Sequence, residues 1–314
     1  MGSDNCTGMV SAQTIKAMAL RYGFDACGVA PVHRLDGIGF GLREWIDCGF
    51  HAGMAYMARN VDMRHDPRLL LPGAMSVISV LRAYKSDYTM KSAPRIAQYA
   101  FADDYHDTMK ASLYALLAAI RKEYSDFQAR VFVDTAPISD KLWAREAGLG
   151  WIGKNTLLVN PQYGSLCFVG EIVTTAVVDR YDTAVDDGCA ACKRCVEACP
   201  NKAIVQMPSS GRFCVDARRC TSYNTIENRA ESLPDSLRVS GYAFGCDICQ
   251  SVCPYNVDAP ASVHVTEKRR IELERFSALS EEEFGKATRH TAMSRIGYMQ
   301  WRRNIDCAVD GNAI

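Results

Sequence analysis

The sequence of 314 residues lacks the features that send or anchor a protein to a membrane. It has no run of 18 apolar residues, which a spanning helix would need. Its first residues, MGSDNCTGMVSAQTIK, contain no basic segment followed by an apolar one and no twin arginine. We therefore expect a cytoplasmic protein with no membrane partner.

The chain also lacks an excess of charge of either sign. Lysine plus arginine and aspartate plus glutamate number 36 each, so no overall field attracts nucleic acid. A nucleic-acid partner would have to be met by local basic patches, of which residues 193–194, 218–219, 268–270 and 302–303 are candidates. For any single one of these residues, a solvated surface position is the simpler interpretation.

The sequence also lacks a nucleotide-binding loop placed between a strand and a helix. Gly148, Gly150 and Gly153 have the spacing G-x-G-x-x-G, and the same stretch resembles a P-loop in which Asn155 replaces Ser or Thr. Both motifs need glycines that follow a strand and open a helix. Here the preceding segment has a helical pattern and the following one is strand-like. We therefore predict neither a dinucleotide nor an NTP site, and interpret Gly148 as a helix C-cap.

Hydrophobic periodicity predicts helices interleaved with strands up to about residue 180. Helices are predicted over residues 11–22, 105–121 and 138–147, and a buried strand over 74–84. Further strands are predicted at RVFVD, NTLLV and FVGEIVTTAVV. This alternation predicts an α+β fold whose N-terminal domain, residues 1–182, is α/β-like.

Cysteine is abundant instead. Fourteen cysteines in a reducing compartment favour metal or redox chemistry over disulfides. Residues 189–200, CAACKRCVEACP, have the spacing of bacterial [4Fe-4S] ferredoxins, and residues 246–254, CDICQSVCP, form a second, shorter run. Structural zinc is the alternative, but the C-x3-C-P endings favour clusters. We predict a ferredoxin-like domain with two clusters over residues 183–262, followed by a helical extension over 263–314.

The ligands follow from a rule of two-cluster ferredoxins, in which the last cysteine of each run binds the other cluster. The first cluster is then assigned to Cys189, Cys192, Cys195 and Cys253. The second is assigned to Cys199, Cys246 and Cys249 and needs one more thiolate. Cys214 and Cys220 both lie between the runs, and we favour Cys220.

Several stretches together resemble the epoxyqueuosine reductase family, in a short form without the C-terminal helical-repeat domain that many members carry. Besides the cysteine runs they are HAGMAYM at 51–57, IAQYAFADDYHDTMK at 96–110, VDTAP at 133–137, AGLGWIGKNTLL at 147–158 and RRCTSYNTIE at 218–227. They follow the family's order through most of the chain. The resemblance implies reduction of epoxyqueuosine to queuosine at the wobble position of tRNA.

The resemblance also implies a base-off cobalamin that receives low-potential electrons from the two clusters. A carboxylic acid then protonates the departing epoxide oxygen, and in the family's D-[ST]-A-P motif that acid is Asp134. An apolar cofactor face is expected to raise the pKa of Asp134 and keep a proton available. Without the resemblance, Asp134 is equally well explained as a cap of the turn at 136–137.

Other positions match family residues that approach cobalamin. With Asp134 they are Met57, Tyr99, Gly153, Lys154, Asn155, Leu158, Ser222 and Asp247. Tyr105 and His106 match a family stretch, but a histidine at a helix start is more often structural, and we do not assign it as a cobalt ligand. Asp140 stands where the family usually has glutamate, so we give it no role.

The implied partners are tRNA carrying epoxyqueuosine and a low-potential electron donor such as ferredoxin or flavodoxin, with the chain acting as a monomer. Two other functions use the same residues. One is another cobalamin-dependent reductase, such as a reductive dehalogenase, although those usually carry a twin-arginine signal. The other is a ferredoxin-like electron carrier, which would bind no cobalt.

Overall fold

The computed structural model describes residues 9–35 and 41–310, which form twelve strands and twelve α-helices. The strands are β1 Met9–Val10, β2 Ala26–Pro31, β3 Ser76–Ala83, β4 Arg95–Ile96, β5 Ala129–Phe132, β6 Trp151–Ile152, β7 Leu158–Val159, β8 Cys167–Thr174, β9 Val177–Val178, β10 Ile204–Gln206, β11 Phe213–Val215 and β12 Tyr242–Phe244. The α-helices are α1 Ala12–Arg21, α2 Leu42–Asp47, α3 Val61–His65, α4 Tyr105–Glu123, α5 Asp140–Glu146, α6 Arg194–Ala198, α7 Thr221–Ile226, α8 Ile248–Ser251, α9 Pro254–Asp258, α10 Glu267–Arg275, α11 Glu281–Thr288 and α12 Tyr298–Asp310.

A four-stranded sheet organises the N-terminal half. Its order is β2-β3-β8-β5, and all three pairings are antiparallel. The two central strands are buried along most of their length and carry few polar residues, as expected for strands covered on both faces. The sheet thereby presents the end of β5, and the Asp134 that follows it, beside the start of α4.

Helices α1 and α4 cover one face of the sheet. Ser11 caps α1 by accepting a hydrogen bond from the Thr14 amide, and Asp104 caps α4 by accepting one from the His106 amide. The predicted apolar stripe of α4 is confirmed: Met109, Leu113, Leu116, Leu117 and Ile120 are its buried residues. Each such side chain contributes about 1.5–3 kcal/mol when fully buried.

Helix α5 covers the opposite face, with Trp143 completely buried against the sheet. The chain leaves α5 through Gly148, whose φ of +73° confirms the predicted C-cap interpretation, and enters the β6–β7 hairpin. At Gly150, φ is +156° and an added Cβ would lie 2.1 Å from the Val159 carbonyl oxygen. The glycines therefore allow β6 and β7 to pack closely against each other. The order is helix and then strand, which is the order that argued against a nucleotide-binding loop.

A second core joins the C-terminal helices to an earlier segment of the chain. Met90, Ile96 and Phe101 pack with Phe244, on β12, and with Trp301, on α12. Strand β12 pairs with β4 in parallel. The division at residues 182 and 262 stays a prediction, and part of the segment assigned to the first unit contributes to the core of the last.

The expected fold class is confirmed, an α+β arrangement followed by a cluster-binding segment and a short helical C-terminus. Several predicted elements are shorter than expected: NTLLV contributes only the two residues of β7, and FVGEIVTTAVV is divided into β8 and β9. Within the described ranges, no helix is long and apolar enough to cross a membrane.

Candidate active site between the sheet and the cysteine clusters

The eight predicted cluster cysteines lie in two groups. The pKa of the Cys195 thiol is raised by burial and by its neighbours Cys189, Cys253 and Cys192. In the second group, the pKa of Cys249 is raised by burial and then chiefly by Cys246 and Cys220, with Cys195 and Cys199 also contributing. The two groups are therefore adjacent, as electron transfer between two clusters requires.

The structure separates the two candidates for the eighth ligand. Cys220 is close enough to Cys199 for the thiols to interact. Cys214 is buried on β11, and the thiol that influences it is that of Cys48, outside both groups. This proximity favours Cys220, while ligation itself stays a prediction. In the described part of the chain, no three potential ligands surround one point as around a single metal ion.

Two side chains of the 147–158 segment contact the first cysteine group. The Trp151 indole N–H donates to the Cys189 sulfur at 3.4 Å. Lys154 Nζ donates to the carbonyl oxygens of Ala190 and Cys192 at 2.6 and 2.7 Å. These donors hold the cysteine loop and place positive charge beside it. We did not predict Trp151 as a functional residue, because it lies 38 residues before Cys189 and only the folded chain brings the two together.

Asp134 lies just beyond β5 in a left-handed conformation with φ of +51°. Its Oδ2 accepts a hydrogen bond from Tyr105 Oη at 2.8 Å and lies 3.1 Å from His106 Nε2. The other ring nitrogen of His106 is 2.7 Å from Asp104 Oδ1. The Asp134 carboxylate therefore belongs to a network of hydrogen-bonded side chains at the start of α4. These hydrogen bonds are not those of a residue that caps the turn at 136–137.

These hydrogen bonds set the protonation of Asp134 and His106. Burial alone would raise the pKa of Asp134, but the bonds from His106 and Tyr105 outweigh it and the net shift is downward. Burial would lower the pKa of His106, but its bonds to Asp134 and Asp104 raise it overall. Our expectation of a raised pKa at Asp134 is thus wrong for the chain itself, because we gave its two partners no role.

A cavity of about 210 Å³ lies near Asp134, whose charge influences Arg64 in the cavity wall. Met57 and Ile138 contribute apolar wall, and Arg64, Asp140 and Lys141 contribute polar wall. The Nε atom of Arg64 is buried with no hydrogen-bond partner. Burial raises the pKa of Asp140, the residue to which we had given no role. Apolar walls with an unpartnered donor suit part of a large cofactor that carries both apolar and amide groups.

Of the predicted cofactor residues, only Met57 lines this cavity, and the others are buried to different depths elsewhere. Asn155 and Leu158 are buried, and Asn155 Oδ1 accepts from the Leu157 amide at 3.3 Å. An added Cβ at Gly153 would lie 2.9 Å from both Asn155 and Val159, so Gly153 is enclosed by its own hairpin. Their contacts with a cofactor stay predictions, as does that of the half-buried Ser222 on α7.

Hydrogen bonds connect this region to the cysteine segment. Asp247, beside Cys246, accepts from the Gln98 amide at 2.8 Å, which fixes the residue before Tyr99. Burial raises the pKa of Asp247 to about 6. The Gly53 amide donates to Tyr223 Oη at 2.8 Å, which ties the loop that leads to Met57 to α7. Movement of the cysteine segment would therefore displace both Tyr99 and the Met57 loop.

Positive charge reaches Asp134 from the C-terminal extension. Arg295 forms an ion pair with Glu227, and its charge helps to lower the pKa of Asp134. Several other basic residues have intramolecular partners: Arg218 pairs with Asp216 at 2.8 Å, and Arg269 donates to the Phe101 carbonyl at the same distance. The predicted basic patches therefore also have structural roles, and Arg295 is a cation that we had not singled out.

Two adjacent groups of cysteines beside an ionisable cleft are the features of an iron–sulfur oxidoreductase. Comparison with known proteins gives the same class. Residues 64–135 match the family model "Epoxyqueuosine reductase QueG, DUF1730", and residues 188–256 match "4Fe-4S double cluster binding domain". The epoxyqueuosine reductase of Cyclobacterium marinum is 37% identical over 301 residues, covering 93% of this chain and 95% of that protein.

Solved structures agree with these matches. The epoxyqueuosine reductase of Streptococcus thermophilus superposes with a TM-score of 0.83 at 29% identity, covering 96% of this chain and 81% of that one. An epoxyqueuosine reductase with an epoxyqueuosine-modified tRNA-Tyr stem loop gives 0.80 at 28% identity, covering 95% and 80%. The chain belongs to the epoxyqueuosine reductase family. Its cofactors are two [4Fe-4S] clusters and cobalamin, as predicted.

The grouping of the thiols predicts which cysteine variant loses iron. Cys220→Ser should bind less iron per chain than the unaltered protein, because one cluster loses a thiolate. Cys214→Ser is the matched control and should keep the full iron content. Iron analysis after anaerobic reconstitution measures both. Loss of iron from Cys214→Ser alone would show that the ligand assignment is wrong.

The indole contact predicts a change in reduction potential. Trp151→Phe removes an N–H donor to the Cys189 sulfur, so the more negative, reduced cluster loses stabilisation and its potential should fall. Trp45→Phe is the control, because the Trp45 indole donates to the Val215 carbonyl at 2.8 Å instead. A redox titration followed by electron paramagnetic resonance compares the three proteins. Equal potentials in all three would contradict the assigned contact.

Proposed function

We propose that this chain reduces epoxyqueuosine to queuosine in tRNA with Asp134 as the group that protonates the departing oxygen. The observation that carries this assignment is the chain of hydrogen bonds Asp104–His106–Asp134 beside the two cysteine groups. Asp134 is 45% exposed, so a substrate can reach its carboxylate. A structure from Bacillus subtilis whose catalytic aspartate loop is swung out of the active site shows that such a loop moves in a relative.

The reaction requires acid as well as electrons. Removing an epoxide oxygen as water consumes two electrons and two protons and leaves a carbon–carbon double bond. His106, with its raised pKa, holds one proton, and its Nε2 shares that proton with Asp134. Asp134 then delivers it to the departing oxygen, and Tyr105 keeps the carboxylate oriented through its own hydrogen bond. Asp104 fixes the imidazole from the other side.

When bound, cobalamin would supply a low-potential metal centre able to accept electrons from the clusters. We assign Met57, Tyr99 and Ser222 to its surroundings, because Met57 lines the cavity and the other two are half-buried next to the cysteine segment. Asn155 and Leu158 support this site from the interior. Both ring nitrogens of His106 already contact carboxylates, so we give His106 no role as a metal ligand.

The other partners follow from this chemistry. A low-potential carrier such as ferredoxin or flavodoxin would reduce the clusters, and the chain would act as a monomer in the cytoplasm, where its tRNA substrate is found. Arg295 supplies positive charge near the Asp134 carboxylate, where the substrate would bind. Because tRNA is an anion, its affinity should fall as salt concentration rises.

A direct assay tests the function and the role of Asp134. The reconstituted protein is incubated anaerobically with cobalamin, a low-potential reductant and tRNA carrying epoxyqueuosine, and the nucleosides are analysed by mass spectrometry. We expect the unaltered protein to remove one oxygen mass from the nucleoside. In Asp134→Asn we expect the rate to fall by about a hundredfold or more while cobalamin stays bound. Asp107→Asn, at an exposed position on α4, is the control and should retain the rate.

Other outcomes of this assay would contradict the proposal in different ways. An unaltered protein that binds no cobalt and converts no tRNA would support the electron-carrier alternative. Conversion at the normal rate by Asp134→Asn would keep the reaction but show that another group donates the proton.

The pKa shifts predict the pH dependence. His106 must be protonated, so the rate should fall as pH rises through its folded pKa, which lies above the ordinary value of 6.5. Asp104→Asn removes one interaction that raises this pKa, and should move the alkaline limb of the kcat profile to lower pH. Asparagine can still cap α4, so the fold is preserved. An unmoved alkaline limb would show that His106 does not hold the proton.

The same pair affects stability in opposite pH ranges. The contribution of His106 is fully present below pH 6.5 and is lost as pH rises through its raised folded pKa. The contribution of Asp134 is present above its unfolded value of 3.8 and is lost as pH falls through its lowered folded pKa. The pair therefore stabilises the fold most between pH 3.8 and pH 6.5.

A further inference from the structure

The first cysteine group lies beneath an exposed loop. The four residues between its first three cysteines are all exposed: Ala190, Ala191, Lys193 and Arg194. Cys189, Cys192 and Cys195 themselves are partly buried. Because the two alanines have small side chains, another protein can approach the sulfur atoms closely at this point. We call residues 189–195 the cluster loop.

The second cysteine group is more enclosed. Two residues of its cysteine run, Asp247 and Gln250, are only 5% and 7% exposed. Asp247 accepts a hydrogen bond from the Gln98 amide at 2.8 Å. The next residue, Tyr99, packs edge-on against Tyr105 at the start of α4. The second group therefore faces the site at the start of α4, and the first group faces solvent.

Both charged side chains of the cluster loop lack intramolecular partners. Within the described ranges, neither Lys193 nor Arg194 forms a side-chain hydrogen bond or an ion pair. Each of the other three predicted basic patches contains at least one bonded arginine. These are Arg218, which bonds to Asp216, Arg269, which bonds to the Phe101 carbonyl, and Arg303, which bonds to the Asn224 carbonyl. Lys193 and Arg194 are therefore two adjacent cations available to another molecule.

The backbone of the cluster loop is held by the rest of the protein. Lys154 donates to two carbonyl oxygens of the loop, at 2.6 and 2.7 Å. Asp187, just before the loop, accepts a hydrogen bond from the Cys189 amide at 2.8 Å. The nearest acids in the sequence lie outside the loop, so its own side chains carry only positive charge. A fixed loop with two free cations is a preformed surface for a negatively charged partner.

We propose that the cluster loop is the docking surface for the electron donor, and that the donor is an acidic one-electron carrier whose carboxylates meet Lys193 and Arg194. The inference rests on the proposed function, because reduction of the epoxide needs electrons from outside. At each encounter the carrier loses one electron to the cluster of the first group, and no bond forms or breaks. Two encounters supply the two electrons that one epoxide consumes. Weak encounters of this kind need only a small interface, and complementary charge raises the rate at which they form.

The position of the cluster loop favours a carrier over tRNA as its partner. A carrier must bring its own redox centre close to a cluster, and the loop lies over the cysteine group that faces solvent. The wobble nucleotide must instead reach Asp134, and the site at the start of α4 is linked to the second group.

Reduction of the oxidised holoenzyme by a carrier protein tests this surface. Reduced flavodoxin, an acidic carrier, is mixed anaerobically with the protein in a stopped-flow instrument, and the loss of cluster absorbance is followed. In Lys193→Glu/Arg194→Glu the second-order rate constant should fall about tenfold at low salt, and it should no longer decrease as salt concentration rises. Reduction by dithionite should keep its rate, because a small reductant needs no docking surface.

Arg121→Glu/Lys122→Glu is the matched control. Both residues are exposed in the last turn of α4, and their substitution changes the net charge by the same amount. Flavodoxin should reduce this variant at the unaltered rate. The affinity for tRNA should be the same in the cluster-loop variant as in the unaltered protein.

Three results with the cluster-loop variant would overturn the proposal. An unchanged rate with flavodoxin would show that the carrier docks elsewhere. Equal slowing with flavodoxin and with dithionite would show that the substitutions damage the cluster itself. Loss of tRNA affinity in place of slower reduction would show that the loop binds RNA. Cluster reduction is measured without tRNA, so none of these results bears on the role of Asp134.

A measurement on the unaltered holoenzyme stands even if the variant fails to fold. A carbodiimide joins a lysine amine to a carboxylate when the two are in contact, and mass spectrometry identifies the joined peptides. Lys193 should be joined to flavodoxin at low salt, and less often at high salt because the attraction is screened. Absence of a cross-link at Lys193 would contradict the assigned docking surface.

Discussion

The His106 imidazole is held between the carboxylates of Asp104 and Asp134, and the position of the Asp134 carboxylate depends on these two contacts. Asp104 accepts from the His106 amide, which starts α4, and its Oδ1 also contacts the His106 ring. The same aspartate thus fixes where the helix begins and how the imidazole is oriented. Tyr105 stacks on Phe168 of β8 with ring centroids 4.2 Å apart, so the start of the helix is attached to the sheet. Asp134, after β5, meets both residues only because sheet and helix are docked in this way.

The cysteine segment is coupled to this acid through a few specific bonds. Asp247, beside a predicted cluster ligand, holds the Gln98 amide, and the next residue, Tyr99, packs edge-on against Tyr105 with centroids 6.3 Å apart. Lys154 fixes the loop of the first cysteine group through its bonds to the Ala190 and Cys192 carbonyl oxygens. The cysteine groups and the proposed proton donor therefore belong to one connected set of residues, in agreement with a reduction that needs both electrons and protons.

Local patterns in the sequence were sufficient for helices α1, α4 and α5, the cysteine groups and the rejection of a nucleotide loop, because periodicity, spacing and glycine context act over short distances. The family and its cofactors followed from motifs that the comparisons confirm. The partners of Asp134 could not be predicted, because His106 is 28 residues away and the contact depends on docking. The burial of Glu171, on β8, without a hydrogen-bond partner was equally hidden, because one acid within an apolar strand gives no sign of its cross-strand neighbours.

The most direct test of the account is the ionisation of His106, followed by ¹⁵N nuclear magnetic resonance of the histidine side chains in the oxidised holoenzyme. The account predicts that the His106 imidazole stays protonated above pH 6.5 and that both ring nitrogens carry hydrogen. In Asp134→Asn its pKa should fall, since one of the bonds that raise it is lost. A neutral His106 imidazole near pH 6.5, unaffected by the Asp134 substitution, would contradict the proposed proton donor.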